Sequence, residues 1–347
     1  MNARRLVAVS AVCATALVSL TTGCARGGAS GGGEDQTYAI KFSHVTTEST
    51  PKGQAAVKFK ELVEEKTGGK VTVEIFPNSE LYGDEDELQA LQSGAVQVLA
   101  PASSKFTTIA PALQVLDLPF LFDSPEDVAK EVTPDSPIGK AIFDNQSLVD
   151  RGIKPLGLWD NGFKQLSANS PIGEPADLDG LSFRIQPSDV LRAQFDDWGA
   201  QTTPMAFGEV YNALQQGVID GQENTWSNIE SQKFYTVQSE IAESDHGYLG
   251  YVLVINEEFF ASLPDDLRSS VQEAADEATA YNREIAADLN EKAKQTIVDS
   301  GETNVVELTD AERQAFEDAV VPSVWEQFAD VVGPELVDQL VAQREEG

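Results

Sequence analysis

Residues 264–300 contain no Gly or Pro after the first position, and the stretch is rich in Ala and Glu. Ala275, Ala278, Ala286, Leu289 and Ala293 recur at helical spacing, so a single unbroken helix is expected here. At 1.5 Å per residue it is about 55 Å long, enough to span an entire two-lobed molecule. The length of the chain agrees. About 310 residues follow the N-terminal segment, enough for two modest domains.

The region before the rod alternates strands and helices. A strand is expected at Tyr38–Ser43, then a helix capped by Thr50 with Pro51 at its first position and Gly68-Gly69 at its end. Strands are expected at 71–76 and 96–100, with a short helix at 85–92 between them. This βαβαβ order predicts a parallel sheet with helices on both faces, whose ligands sit at the carboxyl ends of the strands. The loops to watch are therefore 44–52 and 101–105. Further strands are expected at 153–159, 181–186 and 305–308, and helices at 189–198, 207–216, 310–327 and 334–344. The apolar run 247–256 is too long for one small sheet and is a candidate for crossing between lobes.

The N-terminus reads as a processing segment. Arg4-Arg5 precede an uncharged apolar run at 6–20, too short for a comfortable membrane span. Leu20-Thr21-Thr22-Gly23-Cys24 resembles a bacterial lipobox, with Thr21 where a branched apolar residue is preferred. We expect a signal peptide over 1–23, lipidation of Cys24, and a Gly/Ser-rich flexible tether over 24–37. The other cysteine, Cys13, leaves with the signal. A mature chain with no other Cys, and with His44 and His246 as its two histidines, has no thiol redox centre and no His-rich zinc site. No metal or other cofactor is expected.

The net charge is −33, or about −35 once Arg4 and Arg5 are removed. That sign excludes nucleic acid as a natural partner. It also means that any basic residue serving an anionic ligand must be placed against the overall field. There is no G-x-S-x-G elbow, H-E-x-x-H pair, P-loop or dinucleotide turn, so the chain does not read as an enzyme.

Several polar clusters fall where strands end. Lys52 sits in the first turn of a helix, where the macrodipole disfavours a cation; an anionic ligand would offset this, and a solvated surface Lys is the bland alternative. Trp159-Asp160-Asn161-Gly162-Phe163-Lys164 forms an aromatic and polar corner, or simply a tight turn with its rings in the core. Phe183-Arg184-Ile185-Gln186 places an Arg within an apolar strand, where it needs a carboxylate from the protein or from a ligand. The run 220–228, which holds Asn224 and Trp226, is dense in hydrogen-bonding groups just after a helix. The run 245–251 sets His246 before the presumed crossing strand.

Taken in order, Lys41-Phe42-Ser43-His44, Thr50-Pro51-Lys52-Gly53, Pro77-Asn78-Ser79, Leu81-Tyr82-Gly83 and Asp117-Leu118-Pro119-Phe120-Leu121-Phe122 form one series. The corner at 159–164, the strand at 183–186, Pro204-Met205-Ala206-Phe207 and the runs 221–228 and 246–251 continue it. Together they resemble the substrate-binding subunit of tripartite ATP-independent periplasmic (TRAP) transporters, in its C4-dicarboxylate-binding, DctP-like branch. The resemblance covers nearly all of the chain from Tyr38 onward.

It implies an α/β, two-lobed periplasmic-binding-protein-like fold with crossing strands and a long lobe-spanning helix. Lobe I would comprise 38–161 plus 250–289, and lobe II 162–249 plus 290–347. The family's clamping Arg maps onto Arg184, its carboxylate-donating Asn onto Asn224, and its packing aromatic onto Phe207. Lys164 stands where many relatives in other branches carry a second Arg; it either reaches the ligand or supports the loop. Lys52, His44 and Ser104 are candidates for the ligand's far end, and Gln186, Trp226 and His246 complete the candidate set. The expected ligand is a small carboxylate such as malate, succinate or fumarate. The protein would be an extracytoplasmic monomer, anchored by lipid, that hands its cargo to TRAP membrane subunits. A 2-oxo acid, an aromatic acid or a sugar acid would suit the same fold, as would a sensor role for a membrane kinase. A secreted enzyme is the rival from a different class.

Overall fold

Residues 36–346 are described by a computed structural model; the signal peptide, Cys24 and nearly all of the tether lie outside them. In chain order the first elements are β1 (Tyr38–Ser43), α1 (Pro51–Lys66), β2 (Val71–Phe76), α2 (Glu87–Gln92) and β3 (Val98–Leu99). The short helices α3 (Pro125–Glu131), α4 (Pro137–Phe143) and α5 (Gln146–Val149) precede β4 (Ile153–Phe163). Next come β5 (Gln165–Ala168), β6 (Ser182–Ile185), α6 (Asp189–Asp197), β7 (Gln201–Pro204), α7 (Val210–Gln215), β8 (Gly221–Asn224), α8 (Trp226–Ser231) and β9 (Glu240–Glu243). The chain continues with β10 (Tyr248–Asn256), α9 (Glu257–Ser262), α10 (Asp265–Ser300), β11 (Asn304–Glu307), α11 (Asp310–Val332) and α12 (Pro334–Glu346).

Two sheets result. The first has the order β2-β1-β3-β10-β4, with β1 parallel to β2 and β3 and with β10 antiparallel to β3 and β4. The second has the order β11-β9-β5-β8-β6-β7. The chain passes between sheets three times: from β4 into β5 around Lys164, from β9 into β10 across 244–247, and from β10 to β11 through α10. α1 forms as its residues dictate: the Thr50 hydroxyl accepts the Gly53 N–H at 3.2 Å, and Pro51 occupies the first position, where its missing N–H costs nothing.

α10 lies along both sheets. Near its start Leu267, Val271, Ala275 and Ala278 pack into the core of the first sheet with Phe59 and Ile255. Near its end Ala293 and Ile297 join Ile229 and Ile241 beside the second sheet. Between these ends two asparagines fasten the crossing strand to the helix. Asn282 brackets Asp160, accepting its backbone N–H and donating to its carbonyl at 3.2 Å. Asn290 donates to the Asn161 carbonyl at 2.8 Å and accepts the Ser227 N–H at 3.0 Å. Each bond satisfies a backbone group that burial would otherwise strand at a cost of about 1–3 kcal/mol. Gly301, at φ 64°, ends the helix in the left-handed conformation that Gly adopts without strain.

Four expectations need revision. The strand expected at 96–100 pairs regularly only at Val98–Leu99, although Gln97 and Pro101 still bond neighbouring backbone. The strand expected to end at Trp159 runs on to Phe163, because β10 pairs with it along its whole length; the corner at 159–164 is thus largely strand. The helix expected at 207–216 begins as a 3-10 turn, Phe207–Glu209, before α7. α11 continues to Val332 through Pro322.

Candidate functional site

The most telling side chain in the second sheet is Arg184. It sits in the middle of β6, flanked by β7 and β8, and is 1% exposed. Its Nε and Nη2 both donate to the Met205 carbonyl, at 3.0 and 2.7 Å. Among the described residues no carboxylate lies within ion-pair distance of it. Burial lowers its pKa, with Asp84 and Glu223 opposing from farther away. A guanidinium held on one edge by a carbonyl keeps its remaining N–H groups oriented for a carboxylate.

From the first-sheet side comes Lys52, in the first turn of α1 and 1% exposed. Its Nζ donates to the Ala100 carbonyl at 3.3 Å and lies 3.7 Å from the centroid of the Tyr251 ring. Burial pulls this ammonium down to about 8, against the opposing pull of Glu87 and Asp84. It too has no ion-pair partner among the described residues. Two buried cations, one on β6 of the second sheet and one on α1 beside the first, thus have no carboxylate in ion-pair contact among the described residues, an expensive arrangement unless an anion joins them.

Lys52, Gln186, Phe207 and Asn224 line one small cavity together with Asp84, Glu87, Lys105, Asn228 and Tyr251, while Arg184 is not in its wall. Lys105 closes the loop after β3, and its Nζ pairs with Asp84 at 2.7 Å. Asp84 also accepts the Phe207 N–H, at 3.2 and 3.4 Å to its two oxygens. Asn228 Nδ2 donates to Asn224 Oδ1 at 2.8 Å and lies 3.1 Å from the Tyr251 hydroxyl. The Phe207 ring meets Phe234 edge-on, at 5.9 Å between centroids. Asn228 and Tyr251 fall inside the polar runs flagged from sequence; Asp84 and Glu87 carried no such signal in so acidic a chain.

Other candidates lie elsewhere. Lys164 and His246 do not line the cavity but converge on Glu223. Lys164 Nζ is 2.8 Å from Glu223 Oε2, and His246 Nε2 is 2.9 Å from the same oxygen. His246 Nδ1 is 2.7 Å from the Ser244 hydroxyl. Burial would raise the Glu223 carboxyl, but Lys164 and His246 outweigh it and hold it at about 2. Burial also lowers the His246 pKa, with Glu223 opposing, so the neutral ring donates from Nε2 to the carboxylate and accepts from Ser244 at Nδ1. This closed network braces β8, which carries Asn224. Trp226 is also displaced from the cavity: it lines a different hollow beside α10, with Phe163, Tyr248 and Arg283. His44 and Ser104 are fully buried next to the cavity-lining segments but are not in its wall. Among the described residues His44 Nε2 and Ser104 Oγ have no hydrogen-bond partner, and burial together with Lys52 lowers the His44 pKa to about 3.

The chain matches the family described as "Bacterial extracellular solute-binding protein, family 7" (DctP) over residues 42–330. It is 48% identical to the C4-dicarboxylate-binding periplasmic protein DctP of Shewanella loihica, over 88% of this chain and 90% of the relative. A TRAP periplasmic solute-binding protein from Shewanella oneidensis, solved with bound succinate, superposes with a TM-score of 0.84 at 48% identity, covering 88% of this chain and 99% of that one. A second such protein, from Pseudomonas aeruginosa with bound L-malate, gives a TM-score of 0.80 at 41% identity over 84% and 99%.

Proposed function

Because the chain belongs to the DctP family of TRAP solute-binding proteins, we propose that it captures a C4-dicarboxylate between two lobes and releases it, chemically unchanged, to membrane permease subunits. The observation that carries this reading is the pair Arg184 and Lys52, buried cations on β6 and α1 with no carboxylate in ion-pair contact among the described residues. A short dianion supplies one carboxylate to each. Arg184 holds the first in a bidentate clamp assisted by Asn224, while Phe207 packs on the ligand's carbon chain and Lys52 receives the second carboxylate. Gln186 lies at the rim. Closure removes water and strengthens every charge-assisted bond. The ligand favours the closed form because only there does it touch both lobes.

Each lobe is built mainly on one sheet. Lobe I is 38–161 plus 250–289 and lobe II 162–249 plus 290–347, the joins falling near the paired Phe163 and Tyr248 ends of β4 and β10 and within α10. Lys164 and His246 act from behind the site, keeping β8 in place. Anchoring through a lipid on Cys24 is supported by the lipobox-like run before it; no helix among the described residues is long and apolar enough to cross a membrane.

Calorimetric titration with succinate, L-malate and fumarate, alongside galacturonate, tests the ligand class. The C4 acids should bind tightly and the sugar acid weakly. The reverse order, or no heat with any C4 acid, would overturn the assignment. Ligand recovered chemically altered after long incubation would instead argue for an enzyme.

A further inference from the structure

The charges in the cavity do not balance in the way a dianion site requires. Asp84 and Lys105 neutralise each other at 2.7 Å. Lys52 in the wall, and Arg184 buried on β6 behind it within electrostatic reach of Asp84 and Tyr251, then remain to match the two charges of a C4-dicarboxylate. That leaves Glu87, which lines the same cavity, is 1% exposed and has no cation within ion-pair distance among the described residues. The groups facing it are Lys52 from α1, Asp84 and Lys105 from the flanking loops, and Tyr251 from β10. An ionised Glu87 would confront an incoming dianion across a dry cavity, where repulsion is least screened. Such a group either blocks binding or gives up its charge.

Given that the ligand is a C4-dicarboxylate, we propose that Glu87 is a ligand-contacting residue that takes up a proton as the diacid binds and donates a hydrogen bond to it. The reason is the competition for Lys52. In the unliganded cavity Lys52 is the cation that most favours an ionised Glu87. The ligand's second carboxylate takes over that ammonium and adds negative charge beside Glu87, so a proton from solvent moves onto the Glu87 carboxyl. Protonated, the side chain becomes a donor, which an ionised carboxylate cannot be. Burial already holds its pKa at about 7, so the proton is gained near neutral pH at little cost. The arrangement also discriminates. A carboxyl donor suits a carboxylate oxygen and gives nothing to a methyl-ended monoacid, which would leave Glu87 facing Lys52 without a partner.

The test is infrared difference spectroscopy of the full chain at about pH 8, adding 13C-labelled succinate so that ligand bands are displaced. A new protonated-carboxyl stretch should appear in the wild type and be missing in Glu87→Gln. Calorimetry in two buffers of different ionisation enthalpy should show proton uptake by the wild type. Because glutamine resembles the protonated acid, Glu87→Gln should bind succinate at that pH at least as tightly as the wild type. Succinate binding by the wild type with no new carboxyl band overturns this inference and leaves the C4 reading standing. A roughly tenfold loss in Glu87→Gln at both about pH 6.5 and pH 8 also overturns it, since Glu87 would then act ionised. No succinate binding at any pH overturns the C4 reading itself, and the inference with it.

Discussion

Asp84, in the loop before α2, accepts the backbone N–H of Phe207, which follows β7 on the other sheet, at 3.2 Å. The same carboxylate holds Lys105 at 2.7 Å, so one acid joins the two sides of the cavity and neutralises a cation within it. The bond to Phe207 can exist only when the two sides are closed together. Asp84 is thus a latch as well as a wall. Asp84→Ala should lose a charge-assisted bond of about 1.5–3 kcal/mol. The loss should show in stopped-flow release as faster ligand dissociation with little change in association. A purely slower association would argue that the latch forms only after the ligand is committed.

Arg184 has a carbonyl but, among the described residues, no carboxylate in contact, so under the proposed function its charge should serve ligand affinity rather than the stability of the fold. Arg184→Met keeps most of the volume and removes the charge. Succinate affinity should fall by about 2–5 kcal/mol, while the unliganded midpoint in urea should hold or rise. A large drop in that midpoint would show a structural role instead.

Glu223 behaves in the opposite way. It compensates Lys164 in a site where both side chains are 1–2% exposed. Glu223→Gln would leave that ammonium buried without its anion, and breaking such a pair costs about 3–5 kcal/mol. Chemical denaturation should reveal the loss. Any change in ligand affinity should be secondary, arising through β8.

His44 gives a pH prediction whose sign is fixed by burial. Its folded pKa, about 3, lies below the ordinary 6.5, so the unfolded chain binds a proton that the folded one refuses. Its contribution is whole above pH 6.5 and is lost as the pH falls from there toward 3, by about 1.4 kcal/mol per unit where one proton separates the states. Asp117, raised to about 6 by burial, opposes this between its unfolded value and pH 6. Thermal melts of His44→Gln across this range should show a smaller acid loss than the wild type. An unchanged profile would mean the ring stays protonated when folded.

Gly53 stands beside Lys52, and a Cβ there would fall 2.3 Å from the Thr47 carbonyl oxygen and 2.5 Å from the Glu48 Cα. Those atoms are backbone and cannot step aside cheaply. Gly53→Ala should therefore cost about 1–3 kcal/mol in stability and weaken the ligand by shifting the first turn of α1. A crystal structure of the variant with α1 unmoved would contradict this.

How much of this was legible beforehand can be followed residue by residue. The capped start of α1, its Gly-Gly end and the long rod of α10 were readable because caps, breakers and helical period act within a few residues. Arg184 and Lys52 stood out for a related reason: a cation in an apolar strand or in a helix's first turn conflicts with its local surroundings, and such conflicts mark sites. The short helices α3 to α5 went unassigned, although Ser124 and Ser136 each precede a Pro at a helix start. Strand length at β4 was misjudged because it depends on β10, far away in sequence.

The same division separates the site's members. Sequence alone marked Arg184 and Lys52, since residue type and position in a strand or first helical turn are local properties, while Phe207 and the role of Asn224 came from the family resemblance. Only the tertiary structure decided which of several polar residues share a cavity. Lys164 and His246 looked equivalent to Lys52 in sequence, yet Glu223 takes both, while Asp84 and Glu87 enter the wall unannounced. A charge's role depends on which opposite charge lies within a few ångströms, and that distance is set by how two sheets and a helix pack.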